Sequence, residues 1–131
     1  MRYALDVVVP AATTEEAAFT RKVMLNVGKI TQCLIHFHNG AHWLVSVRML
    51  DGLFQFVPAS GTGWITGNNE TVVIPMDYDL AYGDTEITLI AKSPDCEFDH
   101  ALEIYIDLEQ NASLIKQQFL SASEFMTEVN R

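Results

Sequence analysis

The sequence predicts an all-β domain, an antiparallel β-sandwich or jelly roll, followed by a C-terminal helical extension. Three observations carry that prediction. In successive segments between Tyr3 and Leu108, apolar and polar residues alternate with a period of two, the spacing of strands with one buried face. Asn39-Gly40 and Asp51-Gly52 are strong hairpin signals, because a type I′ turn needs positive φ at both central positions and Asn, Asp and Gly tolerate it best. After Leu108 the period changes, and Ile115, Phe119, Ala122, Met126 and Val129 recur at spacings of four and three, which is a helical stripe.

Taken in order, Tyr3 to Val9 reads as a strand with Leu5, Val7 and Val9 on one face, and Pro10 stops it. A polar connector, Ala11 to Ala18, leads to a second strand in which Phe19, Arg21, Val23 and Leu25 share a face, ending in a turn at Asn26-Val27-Gly28. Lys29 to Phe37 sets Thr31, Cys33, Ile35 and Phe37 against Gln32, Leu34 and His36. His42 to Leu50 does the same with Trp43, Val45, Val47 and Met49, and Leu53 to Val57 follows the Asp51-Gly52 turn. Lys29 to Pro58 is therefore expected to form a β-meander. Ala59 to Asn69 reads as a long loop pinned by Trp64, and strands resume at Glu70 to Pro75, Thr85 to Lys92 and His100 to Leu108. In the tail, Asn111 or Ser113 would cap a helix start, and Ser121 to Glu124 forms a capping box. The expected organisation is a sandwich over residues 1–108 and an amphipathic tail over 109–131, folding back on its own sheet or reaching a neighbour.

With 131 residues, 49% of them apolar and 19% charged, the chain has the composition of one packed domain that needs no metal or disulfide as a staple. No apolar run approaches a membrane span, and Asp6 interrupts the apolar N-terminal stretch, a poor match to a signal peptide. Synthesis and residence in a cytoplasm, or assembly there into something larger, is the expectation. The net charge of −9 is uneven: Glu70 to Glu109 holds eleven carboxylates against Lys92 alone, whereas residues 1–69 carry five bases and four acids. Without a basic cluster to neutralise phosphates, nucleic-acid binding is not expected. The acidic half reads as a solvated face or a partner surface. Cys33 shares the face of Ile35 and is expected to be a buried free thiol.

His36, His38 and His42 form the one metal-like cluster, since residues two apart on a strand share a face and Asn39-Gly40 could return His42 toward them. A cupin-like metal-binding domain would use such histidines. Gly52 followed six positions on by Pro58 echoes the second cupin motif, but no Glu follows at the cupin interval. Rim histidines with no metal are therefore expected. Asp77, Asp79, Asp84 and Glu86 lack an EF-hand pattern and read as solvated turn carboxylates. No serine sits in a nucleophile elbow and no glycine-rich phosphate loop exists, so neither catalytic nor cofactor-binding residues are expected. Trp43, Trp64, Tyr78, Tyr82 and Tyr105 could stack on sugars in a glycan-binding host-recognition module, or serve as core and loop anchors.

Val7 to Thr14, Gly28-Lys29-Ile30, Ile35 to Gly40, Leu44 to Arg48, Asp51 to Pro58, Gly63 to Asn68 and Asp99-His100 together carry a resemblance. The pattern resembles small β-sandwich proteins of tailed bacteriophages, virion-associated and encoded among head genes, and spans roughly residues 5–107. The chain departs from it at His38-Asn39-Gly40, where the family often has a proline-glycine turn, and at Phe54, where it has a histidine. The resemblance implies a non-enzymatic virion component, a capsid-decoration or head-associated protein assembled in the host cytoplasm as a homo-oligomer. Its implied partners are other virion proteins, the major capsid protein foremost, with no nucleic acid and no membrane. The tail lies outside the resemblance, and its stripe of Ile115, Phe119, Ala122, Met126 and Val129 is the expected interface.

Overall fold

A computed structural model of the chain describes residues 1–59, 63–80 and 85–109. It holds eight strands: β1 (Arg2–Val9), β2 (Phe19–Leu25), β3 (Gly28–Phe37), β4 (Ser46–Asp51), β5 (Phe54–Val57), β6 (Glu70–Leu80), β7 (Thr85–Lys92) and β8 (His100–Glu109). They form two four-stranded sheets, ordered β1-β8-β3-β6 and β2-β7-β4-β5. Each strand pairs antiparallel with the one equally far from the Gly52 turn: β1 with β8, β2 with β7, β3 with β6, β4 with β5. The chain is thus one long hairpin rolled into two sheets, the topology of a jelly roll. The all-β sandwich expected from the sequence is the fold observed, with no helix among the described residues. The helical tail and its stripe from Ile115 to Val129 lie outside those residues, and β8 runs one residue past the expected boundary, to Glu109.

Alternation builds the core. Cys33, Ile35 and Phe37 of β3 and Leu102, Ile104, Ile106 and Leu108 of β8 point inward from one sheet, and all are buried. Val47 and Met49 of β4 and Ile87, Leu89 and Ala91 of β7 meet them from the other. Burial of each large aliphatic side chain contributes about 1.5–3 kcal/mol, so the sandwich closes on its own apolar surface. On the open flank, Tyr78 of β6 reaches across to the second sheet, where its hydroxyl donates to Asp51 Oδ2 at 2.5 Å and its ring stacks on Phe56 with centroids 4.9 Å apart.

The Asp51-Gly52 turn is a hairpin, with Asp51 opposite Phe54 and Gly52 at φ +61°. The central residues are Gly52 and Leu53, and of the two only Gly52 has positive φ, the pattern of a type II′ turn. The expected meander fails at Asn39-Gly40. There β3 and β4 belong to different sheets, and residues 38–45 cross between them. Asn68 Oδ1 clamps this crossover by accepting from the Gly40 and His42 amides at 3.1 and 3.0 Å. His42 and Trp43 take positive φ, and β4 begins only at Ser46. Trp43, expected inward beside Val45, is 58% exposed. Pro75 does not end its strand: β6 continues to Leu80, because β6 is a sheet edge and Pro75, opposite Gln32, lies beside a register shift in the ladder, both positions where a strand tolerates proline. Within the expected long loop, Ile65 bridges Val47 through two backbone hydrogen bonds.

Candidate functional site

The same alternation that buries Ile35 and Phe37 sends His36 to the outer face of the first sheet. The register places His36 beside Glu103 of β8 on one side and Thr71 of β6 on the other, with Asp6 of β1 beyond Glu103. One cross-strand row therefore reads Asp6, Glu103, His36, Thr71. His38 continues the face of His36 one step on, its ring edge-on to that of His36 with centroids 4.9 Å apart. His38 Nε2 lies 3.8 Å from Glu103 Oε1. His36 Nδ1 lies 2.8 Å from the Thr71 hydroxyl, and the Tyr105 hydroxyl donates to Glu103 Oε2 at 3.4 Å. One ligand atom each from His36, His38 and Glu103 falls within 4.8 Å of the others, and these are the described residues that could hold an ion.

This arrangement corrects two expectations. His42 does not join the cluster, because the crossover carries it toward the second sheet rather than back across a hairpin. A carboxylate, missing at any usable linear spacing, is supplied by Glu103 across the β3–β8 ladder. Nothing in the local sequence around His36 signals Glu103, Thr71 or Tyr105, which arrive by long-range pairing. The interior is no alternative site for a cupin-like ion, since Cys33, Ile35 and Phe37 fill it on the opposite face of β3.

At the other end of the same face, Asp107 accepts from Arg2 Nε at 2.6 Å, from Arg2 Nη2 at 2.9 Å and from Gln32 Nε2 at 2.5 Å. The guanidinium bond, aided by Gln32, holds the Asp107 carboxyl down at about 2. A groove of about 340 Å³ lined by Met1, Arg2, Thr31, Asp107, Leu108 and Glu109 opens beside this pair. Asp77 and Asp79, expected in a turn, instead stand on the exposed side of β6, and Asp77 pairs with Lys29 at 2.9 Å. Asp84 and Tyr82 lie outside the described residues, while Glu86 pairs with Lys22 at 3.4 Å. Ser93 is buried, its hydroxyl donating to the Pro10 carbonyl at 2.6 Å, which is a structural role.

The aromatic residues divide between anchors and surface. Trp64 lies under Arg48 and Lys92, whose cationic groups sit 4.5 and 4.4 Å from its ring centroid. Tyr78 is the inter-sheet clasp, and Tyr105 lies under Arg2 at 5.1 Å. Trp43, with Leu44 beside it, is exposed, as are Phe54 and Phe98. Both cysteines are free and buried, and desolvation pushes the Cys33 thiol up to about 12.

No protein-family model matches the chain, and no curated protein matches it significantly. Among solved structures the fold is similar to that of tomato aspermy virus, at 13% identity over 86% of this chain and 80% of the other, with a TM-score of 0.43. PirA is similar at 14% identity over 80% of this chain and 94% of the other, TM-score 0.42. Hydroxypropylphosphonic acid epoxidase from S. wedmorenis is similar at 9% identity over 81% of this chain and 43% of the other, TM-score 0.35. A virus structure and an enzyme thus both occur among the similar structures.

Proposed function

We propose that the chain is a non-enzymatic structural component of a tailed-bacteriophage virion, a capsid-decoration or head-associated protein that acts through contacts with the major capsid protein and with its own copies. The observation that carries this reading is the filled interior. Ligand pockets are concave and often lie in the mouths or interiors of β-barrels, and here both inner faces are occupied by packed apolar side chains. What the described part of the molecule offers to a partner is its outer surface, acidic along β6 and β8, with exposed apolar residues at Trp43, Leu53, Phe54 and Phe98. The phage resemblance, spanning roughly residues 5–107, falls on the eight strands and their connections.

The test is retention on capsids. The full chain should co-sediment with the phage capsids that lack it, and deletion of residues 113–131, which removes the stripe of Ile115, Phe119, Ala122, Met126 and Val129, should leave a folded sandwich that no longer assembles or binds. A full chain that never associates with capsids would overturn the reading. A truncated chain that binds normally would remove the tail from the interface, and one that unfolds would assign the stripe to its own core.

A further inference from the structure

We propose that His36, His38 and Glu103 form a binding site for a divalent transition-metal ion of the zinc class on the outer face of the first sheet. The inference is independent of the virion reading. Two imidazoles and a carboxylate are the donor set that suits zinc and its neighbours, whereas calcium and magnesium prefer oxygen alone. In tetrahedral zinc sites, bonds of about 2.0–2.1 Å place ligand atoms roughly 3.4 Å apart. His38 Nε2 and Glu103 Oε1 are already 3.8 Å apart, and the three ligand atoms lie within 4.8 Å of one another. Rotation of side chains that are exposed or half-buried closes the remainder without moving the strands.

The surroundings match what such ligands need. A ligating histidine normally gives its other ring N–H to a fixed acceptor, which sets the tautomer. The Thr71 hydroxyl, 2.8 Å from His36 Nδ1, occupies that place and leaves Nε2 for the ion. The Tyr105 hydroxyl engages Oε2 of Glu103, leaving Oε1 on the side of His38. Asp6, next in the row, adds negative charge beyond Glu103. Three protein ligands on an open sheet leave the fourth position to water or to a side chain of a partner. The ion would tie β3 to β8, so binding should stabilise the fold as well as be measurable directly.

The experiment is zinc binding by the full, untagged chain, followed by equilibrium dialysis with elemental analysis and by thermal melting. About one zinc per chain at micromolar free metal, with a raised melting temperature, is expected. The double variant His36→Ala/His38→Ala should lose both effects, and Glu103→Gln should bind about tenfold more weakly or worse. His42→Ala should bind as the parent does. Circular dichroism and melting without metal establish that each variant is folded, which outer-face substitutions should permit. Cobalt in place of zinc should give the intense visible absorption of a four-coordinate ion. Absence of binding by the parent, binding retained by the double variant, or equal loss in His42→Ala would each overturn the site.

Discussion

Arg2 and Asp107 face each other across β1 and β8 as a two-bond ion pair, and Gln32 of β3 completes the carboxylate from the far side. Three strands are thereby joined by one acidic group. Because Asp107 titrates at about 2, below the 3.8 of an ordinary aspartate, the folded state binds this proton less readily than the unfolded chain. Its contribution to stability is therefore present above the ordinary carboxylate value and is lost as pH falls through about 2. Asp107→Asn should lower the urea midpoint at neutral pH, with the gap to the parent narrowing on acidification and closing below about 2. A gap independent of pH would show that the pair contributes by packing and not by charge.

Two glycines should fail for different reasons. At Gly52 a Cβ would meet nothing within 4 Å, so Gly52→Val costs backbone strain alone at φ +61°, roughly 1–2 kcal/mol. Gly52→Asn should recover part of it. At Gly28 a Cβ would stand 2.6 Å from the Glu109 carbonyl oxygen and 3.1 Å from buried Leu108, so Gly28→Ala must separate β3 from β8, about 1–3 kcal/mol. Thermal melting of the three variants ranks them. An unchanged melting temperature for Gly52→Val would mean the turn at the tip of the roll is misplaced.

Removal of the Tyr78 hydroxyl separates its two roles. Tyr78→Phe keeps the stack on Phe56 and loses the bond to Asp51, so about 1 kcal/mol of destabilisation is expected, whereas Tyr78→Ala should cost about 3 kcal/mol or more. Desolvation first, and the Asp51 carboxylate second, raise the phenol to about 12 from an ordinary 10. The stabilisation is thus whole below pH 10 and is lost as pH rises through about 12. Chemical denaturation of parent and Tyr78→Phe from pH 8 upward measures it, with the two curves expected to converge at the alkaline end.

What the sequence made legible was whatever depends on neighbours in the chain. Alternation located all eight strand cores and the inward sides of β1, β3 and β4, and Asp51-Gly52 marked the one hairpin between sequence-adjacent strands among the described residues. Asn39-Gly40 misled because a turn dipeptide reports local φ and not the sheet that the next strand joins; Gly40 does take positive φ, at 102°, but in a crossover. Pro75 misled because a proline ends central strands and not edge strands, and edge position is a property of topology. The candidate metal site shows the same division. His36 and His38 share a face by spacing alone, whereas Glu103 and Thr71 reach it through β8 and β6, on either side of β3.

The two tryptophans should behave oppositely on truncation. Trp64 is half-buried beneath Arg48 and Lys92, and the Nε of Arg48 is buried with no hydrogen-bond partner among the described residues, so the ring is what that cation rests on. Two cation–π contacts of about 0.5–1 kcal/mol each, added to the lost apolar contact, give an expected cost of roughly 2–3 kcal/mol for Trp64→Ala. Trp43 sits at the exposed crossover, where its backbone N–H donates to the Gly67 carbonyl at 3.1 Å whatever the side chain is. Trp43→Ala should therefore change stability by no more than about 0.5 kcal/mol. Urea unfolding gives both values, and iodide quenching of the parent should act mainly on the emission that Trp43→Ala removes. Equal destabilisation by the two substitutions would mean that the crossover ring, and not only the Trp64 platform, is packed against the domain.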